Sequence, residues 1–128
     1  MFLTIIRGDS FSTTFLVLSD GDPLDLGTVS LARFTVKEKV ADADSAALVR
    51  LSTGVGGVTI LTQSGDTLGM LTVSLTPTET AALTPTVQNA IWDLQLTLND
   101  GSVHTPFMGE AEITGDVTIN SADVGTDT

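Results

Sequence analysis

The chain is 128 residues long, has no cysteine and carries 5 Lys+Arg against 16 Asp+Glu, a formal net charge of −11. That length suits one domain with one core, formed without disulfides or thiolate-bound metal. The acidity excludes a sequence-independent grip on DNA or anionic lipid, because both need clustered cations to neutralise phosphate. The expected partners are therefore proteins, with no nucleic acid and no membrane. Hydrophobic residues make up 41% of the chain and charged residues only 16%, against about 25% charged in an average soluble domain. This predicts that part of the surface is covered by other subunits, with the chain a homo-oligomer in its assembly. No segment approaches the roughly 20 apolar residues of a membrane span. Residues 1–6 have neither the basic run nor the length of a signal-peptide core, so no export is expected.

Twenty-one Thr, 12 Val and 6 Ile make 39 of the 128 residues β-branched, a composition that favours pleated, half-buried strands. Alternating patterns broken by turn residues predict eight strands, over residues 2–6, 10–18, 28–39, 47–51, 58–62, 68–75, 90–98 and 103–113. Turn chemistry separates them at Ser19-Asp20-Gly21-Asp22-Pro23, at residues 41–45, at residues 54–57 and at Gln63-Ser64-Gly65-Asp66. A short helical turn is predicted over residues 77–83. Thr76 can N-cap it, Pro77 suits its first position and Glu79 completes a capping box.

The clearest alternation puts Ala90, Trp92, Leu94, Leu96 and Leu98 on one face, with Ile91, Asp93, Gln95 and Thr97 on the other. Asn99-Asp100-Gly101-Ser102 then reads as a hairpin turn. On the return strand Val103, Thr105, Phe107, Ala111 and Ile113 are expected inward, with His104, Met108, Glu110 and Glu112 outward. Pro106 and Gly109 mark that strand as an edge or bulged one. The predicted core holds Phe34, Val36, Trp92, Leu94, Leu96 and Phe107. After Thr114 the sequence turns polar and acidic, and residues 119–128 read as a C-terminal arm on a domain of residues 1–118.

Chemistry-bearing motifs are sparse, and no catalytic residue, metal or cofactor is expected. His104 is the chain's one histidine, and no Gly-x-Ser-x-Gly elbow exists to work with it. The pairs Asp20/Asp22, Asp42/Asp44 and Glu110/Glu112 read as solvated loop and strand-face carboxylates. Residues 116–124 lack the alternating ligands and the bidentate Glu of a calcium loop. Arg7-Gly8-Asp9 reads as a junction between two strands rather than an integrin motif. Trp92, in phase with buried leucines, offers no sugar-stacking platform.

Ile6-Arg7-Gly8-Asp9-Ser10 opening a strand, Gly21-Asp22-Pro23-Leu24-Asp25-Leu26 at a turn, Arg33-Phe34-Thr35-Val36-Lys37, and Leu75-Thr76-Pro77-Thr78-Glu79-Thr80 ahead of Trp92-Asp93-Leu94-Gln95-Leu96 occur in one order. In that order the chain resembles the Ig-like N-terminal domain of phage baseplate upper proteins and related small tailed-phage virion proteins, over nearly all of residues 1–118. The resemblance implies an all-β, antiparallel Ig-like β-sandwich of about seven or eight strands with one short helical turn. It also implies a non-enzymatic part of a virion, present in the host cytoplasm during assembly, that docks on tail, neck, baseplate, fibre or capsid proteins. A tail or fibre-attachment role is the first expectation. Capsid decoration is the alternative, and a bacterial Ig-like adhesion or carbohydrate-binding module ranks behind both. The expected interface residues are Phe2, Leu3 and Ile5 at the N-terminal strand and, at the C-terminal end, Val117 and Thr118 leading into the arm and Ile119, Asp123 and Asp127 within it, a stretch that can add to a neighbour's sheet edge.

Overall fold

The computed structural model describes residues 1–39, 41–83 and 87–115. Its strands are β1 (Phe2–Ile6), β2 (Phe11–Leu16), β3 (Leu18–Ser19), β4 (Asp22–Pro23), β5 (Val29–Lys37), β6 (Val49–Ser52), β7 (Val58–Ile60), β8 (Met70–Leu75), β9 (Val87–Leu98) and β10 (Val103–Thr114). One helical turn, α1 (Pro77–Ala81), lies between β8 and β9. Eight of the ten strands coincide with the eight sequence-predicted segments. The other two, β3 and β4, form a small hairpin around the predicted turn at residues 19–23, where Asp20 and Gly21 both take positive φ (54° and 87°) and close it tightly.

A five-stranded sheet in the order β1-β10-β9-β5-β6 faces a three-stranded sheet in the order β2-β8-β7. Strand pairs within both sheets are antiparallel except β1 with β10. That exception arises because the chain changes sheets at Arg7-Gly8-Asp9, so β1 borders one sheet and β2 the other. Setting β2, β7 and β8 against β5, β9 and β10 reproduces the division of strands between the two sheets of an immunoglobulin sandwich. The fold is an Ig-like β-sandwich.

The layer between the sheets is apolar. Phe34, Val36, Leu94, Leu96 and Trp92 are all buried, joined by Leu3, Ile5, Phe15, Leu71, Val73 and Ile113. Phe107 is half-buried and packs against this cluster. Phe15 of β2 meets Trp92 of β9 with ring centroids 5.5 Å apart, and Phe34 of β5 meets Trp92 at 5.7 Å. Two expectations for β10 are corrected, since Val103 and Thr105 are exposed rather than inward. The register against β9 slips between His104 and Phe107, because Pro106 has no N–H for the ladder. The strict alternation therefore holds only from Phe107 onward. Leu98, at the same end of β9, is half-buried.

The helical turn forms as its sequence dictates. Thr76 Oγ1 accepts from Glu79 N and Glu79 Oε1 accepts from Thr76 N, completing the capping box. Its buried Thr80 donates to the Asp9 carbonyl (2.8 Å) and accepts from Gly8 N (2.9 Å), while Arg7 Nη2 donates to the Ala81 carbonyl. The Arg7-Gly8-Asp9 junction is thus bound to α1. A half-buried amide fixes a second junction. Gln63 Oε1 accepts from Leu26 N and Gly69 N, and its Nε2 donates to the Leu61 carbonyl.

Two stability outcomes follow. Trp92→Ala removes the ring shared by both sheets and should cost about 3–5 kcal/mol in chemical denaturation. At Gly109 an added Cβ would lie 2.1 Å from the Met1 carbonyl oxygen and 3.0 Å from Trp92 Nε1. Gly109→Ala must push β1 away from β10 and should cost about 1–3 kcal/mol by the same measurement.

Candidate functional site

With Ala32, Phe34 and Val36 inward, alternation turns Arg33, Thr35 and Lys37 of β5 to the outer face of the five-stranded sheet. The same rule turns out Ile91, Asp93 and Gln95 of β9, Met108 and Glu110 of β10, and Arg50 of β6. Register then sets these side chains in rows. Phe2, Glu110, Ile91 and Lys37 lie across one row, and Met108, Asp93, Thr35 and Arg50 across the next. Gln95 and Arg33 begin a third. Together with Asp44 and Val55 from the flanking loops, all of these except Phe2 line an open groove of about 680 Å³.

Its charges are arranged by side. Arg33, Lys37 and Arg50, three of the chain's five cations, stand on β5 and β6. Glu110 and Glu112 stand on β10 at the other side, with Asp93 between. Lys37 Nζ lies 2.7 Å from Asp44 Oδ1, and this contact holds the Asp44 carboxyl below its ordinary value. Arg33 Nη2 donates to Gln95 Oε1. Asp93 is half-buried, and burial raises its carboxyl above the usual value although Lys37 and Arg33 pull the other way. Met108, 70% exposed, and Phe2, 55% exposed, give the face its apolar area.

The sequence-predicted interface residues fare differently. Phe2 is exposed beside this groove. Leu3 and Ile5 are corrected: they are 6% and 0% exposed and belong to the core, because pairing with β10 turns the odd-numbered residues of β1 inward. Val117, Thr118, Ile119, Asp123 and Asp127, and the 116–124 segment weighed for calcium, lie outside the described residues. The sequence reading missed Arg33, Lys37, Arg50, Asp93, Gln95 and Met108 as a group. Alternation within β5 and β9 was a signal for each side chain's face, but no local pattern says that these strands adjoin.

The other candidates occupy structural roles. Exposed His104 borders a smaller groove with Val17, Leu24, Leu96 and Leu98. Asp42 Oδ2 accepts from Lys39 N, and Asp100 accepts from both the N and Oγ of Ser102, which lowers its carboxyl. Glu112 accepts from Thr4 Oγ1. Trp92, 2% exposed, offers no stacking surface, and its Nε1 donates to the Met1 carbonyl. Among the described residues no three His, Asp or Glu side chains gather as a metal site, and no helix is long and apolar enough to cross a membrane.

No protein-family model matches the chain, and no curated protein matches it. Among solved structures the chain is similar to murine CRIg, with 12% identity over 90% of this chain and 92% of that chain and a TM-score of 0.41.

The raised Asp93 carboxyl has a testable consequence. Its folded-state value lies above the unfolded one, so the folded state holds the proton more tightly. Stability therefore falls as pH rises through the interval between the two values. At neutral pH the ionised, half-buried carboxylate is a net cost. Asp93→Asn should raise the melting temperature at pH 7, and that gain should shrink below about pH 4, where the unfolded carboxyl is also protonated. Melts of both proteins across this range provide the measurement.

Proposed function

We propose that this chain is a non-enzymatic structural module of a tailed-phage virion, an Ig-like sandwich that docks on neighbouring virion proteins. The observation that carries this reading is the outer face of the five-stranded sheet. On an otherwise acidic protein it combines exposed apolar side chains with both signs of charge, the mixture of a protein-docking surface rather than of a catalytic pocket. The ordered motifs from Ile6 to Leu96 support the virion setting through their resemblance to Ig-like domains of baseplate upper proteins. Within that setting the sandwich acts as an attachment piece, in the first place for a fibre or tail component. His104 and the carboxylate pairs take no part in chemistry.

Tailed particles purified on a density gradient from cells carrying the gene, digested and read by mass spectrometry, test this. Peptides of this chain should appear in proportion to the tail proteins through successive gradients. Their loss from the particle band while tail peptides persist would remove the virion role and leave an Ig-like module of another system.

A further inference from the structure

The three-stranded sheet has an open edge at β2. In a constant-type immunoglobulin sandwich the first strand pairs with the second and borders this sheet. Here β1 pairs with β10 of the other sheet instead, and β2 is the border strand in the order β2-β8-β7. Val17 N donates to the Gly69 carbonyl in the register of β2 with β8. Backbone groups alternate in direction along an antiparallel strand, so Phe11, Thr13 and Phe15 turn theirs to β8, and Ser12, Thr14 and Leu16 turn theirs to the edge. Those three residues are exposed, and no strand among the described residues pairs with that side of β2. The edge is its own complement. A twofold axis through Thr14, perpendicular to the sheet, sets β2 antiparallel to β2 of another copy, with Thr14 opposite Thr14 and Ser12 opposite Leu16. This register engages every outward backbone group in about six hydrogen bonds, whereas a slip of two residues strands either Ser12 or Leu16. We infer that β2 pairs with β2 of a second copy of this chain, joining two three-stranded sheets into one continuous sheet across an isologous dimer.

Charge selects both the edge and its occupant. The strands β2, β7 and β8 contain no Asp, Glu, Lys or Arg, although the chain carries 16 acidic and 5 basic residues. The axis therefore sets no ionic side chain within β2 against its own copy. Thr14 meets Thr14 and Ser12 meets Leu16 on the outer face, and Thr13 meets Phe15 on the inner one. Asp9 and Asp20, the nearest charged residues in sequence, lie outside β2. For two copies of charge −11 each, this sheet is where contact meets least repulsion. A charged foreign strand would find no opposite charge along β2. Nor does β2 carry the lysine, proline or bulge that keeps an edge from pairing. The other edges are less open. On β6, Ser52 already exchanges backbone bonds with Gly56 (2.8 and 3.1 Å). The strand β7 has 3 residues. Beside β1, Glu110 and Glu112 stand in register with Phe2 and Thr4, so pairing β1 with its own copy would gather the carboxylates of both.

The inference rests on neither the virion setting nor the groove face, and its failure leaves the particle-composition test standing. Light scattering behind size exclusion, from micromolar to millimolar protein, should show monomer passing to dimer, because about six backbone bonds with little apolar area make a weak contact. Thr14→Pro removes an N–H that points away from β8, so the sheet keeps its own bonds while each copy loses a donor at the axis. It should melt close to the native chain and weaken association by roughly a hundredfold. On β1, Arg7 N donates to the Thr114 carbonyl, so alternation turns the Thr4 N–H away from β10. Thr4→Pro thus makes the same change at the β1 edge and should leave the dimer intact. Cysteine variants carry the test without a proline, in a chain that has no other cysteine. Thr14→Cys should oxidise to a disulfide-linked dimer, since hydrogen-bonded partners stand about 5.5 Å apart at Cα. Ser12→Cys, more than about 13 Å from its own copy, should not. A native chain still monomeric at millimolar concentration overturns the inference, as does a dimer that Thr14→Pro leaves as tight or a pair of cysteine variants that cross-link alike.

Discussion

Everything on the outer face depends on how the interior is closed around Trp92. Antibody domains cross-link their sheets with a disulfide between the second and sixth strands of the sandwich and pack a tryptophan of the third strand against it. This chain has no cysteine, and aromatic rings from the corresponding strands meet instead. Phe15 comes from β2, Phe34 from β5 and Trp92 from β9, with centroids 5.5 and 5.7 Å apart. The contact joins the layers by packing alone, with the tilted ring geometry that aromatic pairs prefer. Trp92 also satisfies its one polar atom. Its indole N–H reaches the Met1 carbonyl at 3.2 Å, past a position that only glycine leaves open. One side chain thereby fixes the spacing of the sheets and the approach of β1 to β10.

Once the inner face is set, the outer face has no freedom. A strand that buries Ala90, Trp92, Leu94 and Leu96 must present Ile91, Asp93 and Gln95, and one that buries Phe34 and Val36 must present Arg33, Thr35 and Lys37. Hydrogen-bond register then decides which of these become neighbours. Asp93 is half-buried on this face, and its carboxyl is raised by desolvation and countered by two cations. The docking role proposed above rests on this surface, partly dry and nearly balanced in charge.

The sheet-switching junction shows how a motif can be absorbed by structure. Arg7-Gly8-Asp9 would attract notice as an adhesion tripeptide, yet Arg7 and Gly8 are engaged by α1, and Thr80 bonds the Asp9 carbonyl. These bonds hold the corner at which the chain leaves one sheet for the other.

Local sequence determined the elements themselves. Period-two alternation located eight strands, Asn99-Asp100-Gly101-Ser102 announced its hairpin, and Thr76, Pro77 and Glu79 wrote the helical cap, because each signal is complete within a few residues. The same alternation told which side of β9 was dry. It failed on β10 around Pro106, where a lost ladder donor shifted the register, while Leu3 and Ile5, expected at an interface, are buried through a partner strand more than a hundred residues away. The hairpin of β3 and β4 was too short to show any period. Only the tertiary structure decided that β9 lies between β10 and β5, and so that Lys37 and Glu110 flank Ile91. A strand's side-chain period encodes its faces, whereas its neighbours are chosen by burial of the whole apolar layer, which no single segment contains.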